Sequence, residues 1–255
     1  MCFTAIVNKL VRRLERLWWA PVEVMVFHAV SDQYDSRRNK RVDWSQTEDF
    51  KNHVRLLKSR YRFVSLDEAD RRLRRWGCRR ERLAVLTSDD GYASVLEVLP
   101  FLESERVPVT LFVNPKYLDG VSRREGYADE PQYMTHDQLW ALTSEWVTVG
   151  MHGYEHDDAS VQTAEEFEQS VERCVEALQK HPRYIPYFAY TWGRHTEATQ
   201  RLLWEKGIVP VGVDGNANRH YGGMIDRRPM DSHYWNKIWN KMTTNDDNPS
   251  VADNL

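Results

Sequence analysis

Six short, apolar runs alternate with stretches of helical periodicity, and this alternation limits the fold more than any other feature of the 255-residue chain. Short runs that are apolar throughout are typical of strands buried on both faces. We predict strands at residues 22–27, 83–87, 109–113, 147–151, 186–190 and 208–213. Strands separated by helices run parallel, with right-handed crossovers. The sequence therefore predicts an α/β fold, either an open doubly wound sheet or a closed or nearly closed barrel.

Several of the intervening helices have recognisable N-terminal caps. Ser45 and Glu48 have the spacing of a capping box ahead of a helix with one apolar face. Thr163 and Glu166 have the same spacing ahead of a second helix, and Thr196 can cap a third. These caps predict where three of the helices begin.

The charge and cysteine content exclude some classes of protein. The chain carries 35 Lys and Arg against 38 Asp and Glu, so its net charge of −3 provides no general attraction for nucleic acid. The three cysteines (Cys2, Cys78 and Cys174) form no CxxC pair, which favours free thiols in a reducing compartment.

The N-terminal 21 residues have a different pattern from the rest of the chain. Apolar residues in this segment recur at helical spacing, and basic residues occupy the other face. Such a helix either docks on its own domain or lies on an anionic membrane surface. Charges interrupt the segment too often for a secretion signal, and no run is long enough to span a bilayer. We therefore expect a cytoplasmic protein, with peripheral contact to the inner membrane as one reading.

We divide the remaining chain into one large domain over residues 22–242 and a polar tail over residues 243–255. Polar or aromatic residues directly follow each predicted strand of this domain. In a parallel barrel all such positions lie on one rim, where catalytic groups collect. These residues are His28, Ser88, Asp89, Asp90, Asn114, His152, His156, Thr191, Trp192, Asp214 and Asn216.

Two of these strand ends together have the composition of a metal site. Asp89 and Asp90 are adjacent carboxylates whose mutual repulsion a cation would relieve. His152 and His156 are four residues apart and would share one face of a helical turn. Two imidazoles and one carboxylate suit a divalent metal with open coordination positions, and the second carboxylate could act as a base. Taken singly, each motif also fits a plain Asp-Asp-Gly turn or a pair of surface histidines.

These motifs resemble those of the polysaccharide deacetylase family, carbohydrate esterase family 4, which has a NodB-type homology domain. "LTSDDGY" at 86–92 resembles the TFDDG motif, and "HGYEH" at 152–156 resembles H-(Ser/Thr)-x-x-H. "FAYTWG" at 188–193 resembles the FAYPYG form of a third motif, which marks one subgroup. "VFHAVSD" at 26–32 and "VPVTLFV" at 107–113 extend the resemblance from about residue 22 to residue 229.

The resemblance implies a fold, a reaction and residue roles. The fold would be a distorted, incomplete parallel (β/α) barrel of about seven strands. Asp89 would be the general base, and Asp90, His152 and His156 would bind the metal, commonly Zn²⁺ and sometimes Co²⁺ or Ni²⁺. The backbone N–H of Trp192 would help to hold the oxyanion. The reaction would remove N-acetyl groups from amino sugars of a glycan or glycolipid.

The chain also departs from the family pattern. Gly153 replaces the Ser or Thr of the second motif, and Ala189 stands where many members have an arginine that holds the base. Arg194, Arg227 or Arg228 could take over that role, and the sequence does not choose among them.

The usual late Leu-x-x-His motif, which supplies the general acid, is not evident in the chain. His233 lies in the corresponding part of the chain but in a different context. His28 ends the first strand, so we expect it rather than His233 to donate the proton, or to hold Asp89 in place of the missing arginine.

We expect three aromatic residues to bind substrate, namely Tyr92, Tyr154 and Trp192, and we place Trp140 in the same cleft. Two other functions stay open at this point. The chain could bind glycan without turnover, or it could hydrolyse other linear, non-peptide C–N bonds.

Overall fold

The computed structural model describes residues 20–33, 44–75, 81–125, 130–215, 218–219 and 221–230. The predicted N-terminal helix over residues 1–21 lies almost entirely outside these ranges, as do the tail over 243–255 and His233. The described part of the chain contains no helix long and apolar enough to cross a membrane. The predicted boundaries of the domain and the predicted location in the cell stay predictions.

Ten strands and six α-helices alternate along the described chain. The strands are β1 (Val22–Phe27), β2 (Ala29–Val30), β3 (Trp44–Ser45), β4 (Arg62–Phe63), β5 (Leu83–Ser88), β6 (Val109–Val113), β7 (Val147–Met151), β8 (Tyr184–Ala189), β9 (Val209–Val211) and β10 (Arg228–Pro229). The helices are α1 (Thr47–Arg60), α2 (Leu66–Arg74), α3 (Leu99–Ser104), α4 (His136–Trp140), α5 (Ala164–Leu178) and α6 (Glu197–Glu205). Each of the six predicted strands is present, and their ends agree with the structure to within two residues.

The main sheet has the order β10-β1-β5-β6-β7-β8-β9, with all neighbouring strands parallel, and β4 pairs with the first half of β5. Strands β2 and β3 form a separate pair. The sheet curls without closing, which confirms the predicted distorted, incomplete (β/α) barrel. The short strands β2, β3, β4 and β10 were not predicted, because two residues carry no measurable periodicity.

Two apolar clusters cover opposite faces of the sheet, and side chains of β1, β5, β6 and β8 alternate between them. In β5, Ala84 and Leu86 belong to one cluster and Leu83 and Val85 to the other. The first cluster also receives the buried faces of α1 and α5, and the second receives that of α2. Burial on both faces explains why these strands are apolar throughout.

Two of the three predicted caps are confirmed. The side chains of Thr163 and Thr196 accept hydrogen bonds from the third backbone N–H of α5 and α6 respectively. The prediction for Ser45 is wrong, because Ser45 belongs to β3 and α1 begins two residues later, after Gln46. The carboxylate of Asp32 accepts the Thr47 N–H at 2.8 Å and so satisfies one of the free donors at the start of this helix.

Candidate active site

In three cases the residue that follows a long strand still donates a backbone hydrogen bond to the neighbouring strand or to its end. The N–H of Asp89 donates to the Phe27 carbonyl, and that of His152 donates to the Val113 carbonyl, both at 3.0 Å. The N–H of Tyr190 likewise donates to the Val211 carbonyl at 3.0 Å. These bonds extend the parallel ladder by one residue. They fix polar and aromatic side chains from three different strand ends on one rim of the barrel.

Left-handed backbone occurs at three positions of this rim. Asp90, His156 and Trp192 have φ values of 70°, 62° and 53°, which non-glycine residues rarely adopt. At Asp90 the chain reverses its side-chain direction, so the two consecutive carboxylates point to different neighbours. Strained backbone of this kind concentrates at functional sites, where the surrounding structure maintains it.

Asp89 is held by one arginine on both of its oxygens. Arg227 donates from Nη1 to Oδ1 at 2.6 Å and from Nη2 to Oδ2 at 2.8 Å, and both side chains are buried. The Nε of Arg227 donates to the Gly212 carbonyl and Nη1 also reaches Thr87, so the guanidinium itself is fixed. Burial alone would raise the pKa of Asp89. The charge and hydrogen bonds of Arg227, together with the nearby His152 and His28, outweigh burial, and the pKa lies below its ordinary value.

Asp90 faces two histidines instead. Its Oδ1 lies 3.1 Å from Nε2 of His156 and 3.5 Å from Nε2 of His152. Donor atoms of these three buried residues all lie within 4.8 Å of one another. Although Oδ1 of Asp90 is buried, it makes no hydrogen bond within the described part of the chain. A buried carboxylate oxygen of this kind is costly unless a cation or a donor reaches it.

The protonation of His152 suits a metal ligand. Its Nδ1 lies 2.9 Å from the Ala189 carbonyl, which requires the proton on Nδ1 and leaves the lone pair of Nε2 directed at Asp90. Burial lowers the pKa of His152 to about 4, so the imidazole is neutral at neutral pH. The pKa of Asp90 lies well below its ordinary value, because the nearby imidazoles and Arg124 outweigh the effect of burial. One carboxylate oxygen and two imidazole nitrogens fit a divalent cation such as Zn²⁺.

The turn that carries both histidines is held from β6. Asn114, directly after β6, donates from its side-chain nitrogen to the carbonyls of His152 and Gly153 at 2.5 and 2.9 Å. Gly153 has a φ of 76°, a conformation that favours glycine. Although Gly153 lacks the hydroxyl of the family motif, the amide of Asn114 fixes the turn in its place.

A cleft of about 150 Å³ opens above these groups. His28 and Trp192 line this cleft together with Asp89 and the cluster of Asp90, His152 and His156. Trp192 is half exposed, and its ring meets the edge of His156 at a centroid distance of 4.7 Å. The lining residues are Val26, His28, Asp89, Asp90, Arg124, His152, His156, Tyr190, Trp192, Gly193, Val213, Arg227 and Pro229.

Of the three candidate arginines, the structure selects Arg227 as the partner of Asp89. Arg194 instead pairs with Asp158 at 2.7 Å, and Arg228 lies 3.3 Å from Glu23. Arg227, and not His28, therefore provides the bidentate contact that the missing third-motif arginine would make.

The expectation that Tyr92 binds substrate is wrong. Its ring is completely buried, and its hydroxyl bonds to Glu130 at 3.3 Å and accepts from Nη2 of Arg124 at 2.5 Å. Gly91 turns the chain directly after Asp90, and the next side chain consequently points into the protein rather than into the cleft. Glu130 and Arg124 could not be identified from the sequence, because their contacts with Tyr92 span more than thirty residues.

Tyr154 and Trp140 also lie outside the catalytic cleft. Tyr154 lines a different cleft beside α5, where the guanidinium of Arg173 covers its ring at 3.6 Å. Trp140 packs between two histidines, stacked on His136 and edge-on to His181. Both rings therefore have intramolecular partners, and Trp192 is the predicted aromatic residue that does line the catalytic cleft.

Solved structures of similar fold come from several bacteria. IcaB from Ammonifex degensii matches with a TM-score of 0.72 at 22% identity, over 86% of this chain and 95% of that chain. The Streptococcus pyogenes deacetylase PplD in complex with acetate has a TM-score of 0.70 at 17% identity, over 84% of this chain and 93% of that chain. A de-N-acetylase from Aggregatibacter actinomycetemcomitans has a TM-score of 0.67 at 17% identity, over 82% and 95%. At these identities the likeness establishes a common fold.

Comparison at the level of sequence is more selective. No curated protein sequence matches the chain significantly. The family profile "Polysaccharide deacetylase" matches residues 77–211. This match extends over more than half of the chain, and it includes the adjacent carboxylates Asp89 and Asp90 as well as His152 and His156. The chain therefore belongs to the polysaccharide deacetylase family.

Proposed function

We propose that this protein is a metal-dependent hydrolase that removes N-acetyl groups from the amino sugars of a glycan or glycolipid. The observation that carries the proposal is the buried Oδ1 of Asp90. Among the described residues it has no hydrogen-bond partner, and it faces Nε2 of both His152 and His156. Beside it lies a second carboxylate, Asp89, which Arg227 binds on both oxygens and which would act as the base.

Asp90, His152 and His156 would hold the cation, and Zn²⁺ suits this donor set, with Co²⁺ and Ni²⁺ as alternatives. When bound, a divalent ion here would polarise the substrate carbonyl and lower the pKa of water. The protein's part is to present one carboxylate oxygen and two imidazole nitrogens close together. The hydrogen bond from Nδ1 of His152 to the Ala189 carbonyl fixes one of these rings.

Asp89 is suited to accept the proton of the attacking water. Its pKa lies below its ordinary value, since the charge and hydrogen bonds of Arg227, together with His152 and His28, outweigh the effect of burial. The carboxylate is therefore ionised at neutral pH. Arg227 occupies one side of both oxygens and prevents the carboxylate from rotating. A base fixed in this way needs no reorganisation when the reaction begins.

The turn at Trp192 would serve the carbonyl oxygen as negative charge develops on it. The hydrogen bonds that close this turn are donated by Gly193 and Arg194, to the carbonyls of Tyr190 and Thr191, and not by the N–H of Trp192. An N–H of this kind at a cleft is a suitable oxyanion donor. The half-exposed indole offers a face for a sugar ring.

His28 would donate the proton to the leaving nitrogen, because an amide anion is too basic to depart. It lines the cleft together with Asp89 and Asp90. The His28→Ala variant should lose turnover and retain metal, whereas His233→Ala should retain both. If His28→Ala turned over like the parent while His233→Ala were inactive, the late histidine would be the acid.

The substrate is tested with N-acetylglucosamine oligomers of increasing length, with acetate and free amine as the products measured. Two proteins of similar fold, a deacetylase and a de-N-acetylase, support this choice. Removal of metal with a chelator should abolish acetate release, and Zn²⁺ should restore it. Oligomer binding without acetate release would favour the glycan-binding alternative, and release from non-sugar amides alone would favour another C–N hydrolase.

A further inference from the structure

A buried polar cluster lies behind Asp90, on the side away from the histidines. It consists of Arg124, Glu130, Tyr92 and Tyr133. We propose that Arg124 is a positioning residue that engages Oδ2 of Asp90 and thereby reserves Oδ1 alone for the cation. This inference rests on the metal site of the proposed function and adds to that site a residue that no sequence motif indicated.

Arg124 is fixed independently of Asp90. Its Nε donates to Glu130 Oε2 at 2.8 Å, its backbone N–H donates to Glu130 Oε1 at 2.7 Å, and its Nη2 donates to the Tyr92 hydroxyl at 2.5 Å. Glu130 also accepts from the hydroxyl of Tyr133 at 3.0 Å, and its side chain is inaccessible to solvent. The guanidinium is therefore held in one place by partners that do not belong to the metal site.

The two oxygens of Asp90 have different neighbours. Nη2 of Arg124 lies 3.5 Å from Oδ2, while the two imidazole nitrogens lie on the side of Oδ1, at 3.1 and 3.5 Å. Rotation of the carboxylate would bring Oδ2 toward the histidines and away from the guanidinium. Because Asp90 is buried, the attraction to Arg124 is weakly screened and opposes this rotation. One-oxygen binding keeps coordination positions open for water and substrate.

A purely structural role for Arg124 would explain its contacts with Glu130 equally well, because a buried carboxylate requires a cationic partner. The double variant Arg124→Met/Glu130→Gln separates the two roles. It removes one positive and one negative charge and leaves the net charge unchanged. The new glutamine retains an oxygen for the backbone N–H at position 124 and gains donors for the two tyrosine hydroxyls. The cluster is satisfied in this variant, but Oδ2 of Asp90 has lost its cation.

The test is the affinity for Zn²⁺ alone, measured by chelator competition, together with the visible spectrum of the Co²⁺-substituted protein and the melting temperature. The double variant should bind Zn²⁺ at least ~10-fold more weakly than the parent, which is the usual scale for a residue that supports a metal ligand. Its Co²⁺ spectrum should change, and its melting temperature should stay near that of the parent. Tyr133→Phe is the matched control, since it removes a hydrogen bond to Glu130 without touching Arg124, and it should retain the parental Zn²⁺ affinity.

If the double variant does not fold, Arg124→Lys replaces it, because it keeps the charge and loses the planar fork. This variant should show the same changes in smaller measure. Parental Zn²⁺ affinity and an unchanged Co²⁺ spectrum would mean that Arg124 serves only Glu130, and the inference would be overturned. An equal loss in Tyr133→Phe would assign the effect to packing of the cluster and overturn it as well. A parent that binds no Zn²⁺ is a distinct result, because it would refute the proposed function itself.

Discussion

Asp89 and Asp90 are neighbours in the chain and both lie near His152, yet the rest of their surroundings differ. Asp89 continues the direction of β5 and meets Arg227, which comes from the edge of the sheet just before β10 and binds both carboxylate oxygens. Asp90 adopts a left-handed backbone and turns toward the histidines of the segment after β7. Its arginine, Arg124, comes from the segment after β6 and approaches only one oxygen, at 3.5 Å.

This difference shows how two identical side chains acquire different roles. A carboxylate bound on both oxygens by an arginine is ionised and immobile, and these are the properties of a positioned base. A carboxylate with one buried oxygen left without a hydrogen bond is a ligand awaiting a cation. The geometry of the arginine, more than its charge, separates the base from the ligand.

The largest expected effect is the loss of metal from the Asp90 side. Asp90→Asn replaces an anionic ligand with a neutral amide, and stoichiometric Zn²⁺ in the purified protein should disappear together with activity. Asp158→Asn is the matched control, because Asp158 lies two residues beyond His156 but pairs with Arg194 instead. Elemental analysis of both variants measures the effect. Full metal content in Asp90→Asn and in an Asp90→Ala/His152→Ala double variant would refute the assignment.

The next effect belongs to the Asp89 side and leaves the metal in place. Asp89→Asn should retain stoichiometric Zn²⁺ and lose at least ~10²-fold in kcat, the scale of one acid–base catalyst. The asparagine keeps the shape of the side chain but cannot accept a proton at neutral pH. Acetate release and metal content are measured on the same preparation. Loss of both together would mean that Asp89 is also a ligand, and the contrast with Asp90 would fail.

The fold was predictable to the extent that its information is local. Predominantly apolar strands such as β5 and β7 are evident in the sequence because burial on both faces leaves few polar positions. The predicted cap at Ser45 was wrong because Ser45 belongs to the two-residue strand β3. The carboxylate of Asp32 accepts the first N–H of the helix instead. Strands as short as β10 are defined by their partner alone, and Arg227, which precedes β10, could not be placed from sequence.

In the candidate site, too, the residues in local motifs were predictable and those defined by long-range contacts were not. Asp89, Asp90, His152 and His156 were predictable, because each lies in a short motif directly after a strand or in the turn that follows it. Arg227 could be named only as one of three candidates, because its partner is 138 residues away in the chain. Tyr92 was misplaced for the converse reason, since its neighbours in sequence belong to the cleft but its ring belongs to the cluster of Arg124 and Glu130.

A change of the arginine on the Asp89 side should move the pH dependence of the reaction. Arg227→Lys keeps the charge but cannot bind both oxygens, so the pKa of Asp89 should rise. The base acts when ionised, and activity is lost as pH falls through its pKa. The acid limb of the kcat/KM profile should therefore move to higher pH, with a smaller loss at the plateau than in Asp89→Asn. Arg228→Lys is the control, since Arg228 lies near Glu23 and should leave the profile unchanged. An unshifted acid limb in Arg227→Lys would remove Arg227 from the control of the base.

The smallest effect concerns the support of the histidine turn on the Asp90 side. Asn114→Ala removes both hydrogen bonds that hold the carbonyls of His152 and Gly153, so the two imidazoles should be less well placed. Zn²⁺ affinity should fall by about 10-fold, at the low end of the usual range for such a residue, while the acid limb set by Asp89 should not move. Thr110→Val is the control for stability, because Thr110 lies on β6, the strand that Asn114 follows. Thr110 shares a partly buried hydrogen bond with Thr148, away from the metal ligands. If Thr110→Val weakened Zn²⁺ binding as much as Asn114→Ala, the loss would reflect general destabilisation. A parental affinity in Asn114→Ala would show that the turn holds its histidines without help from β6.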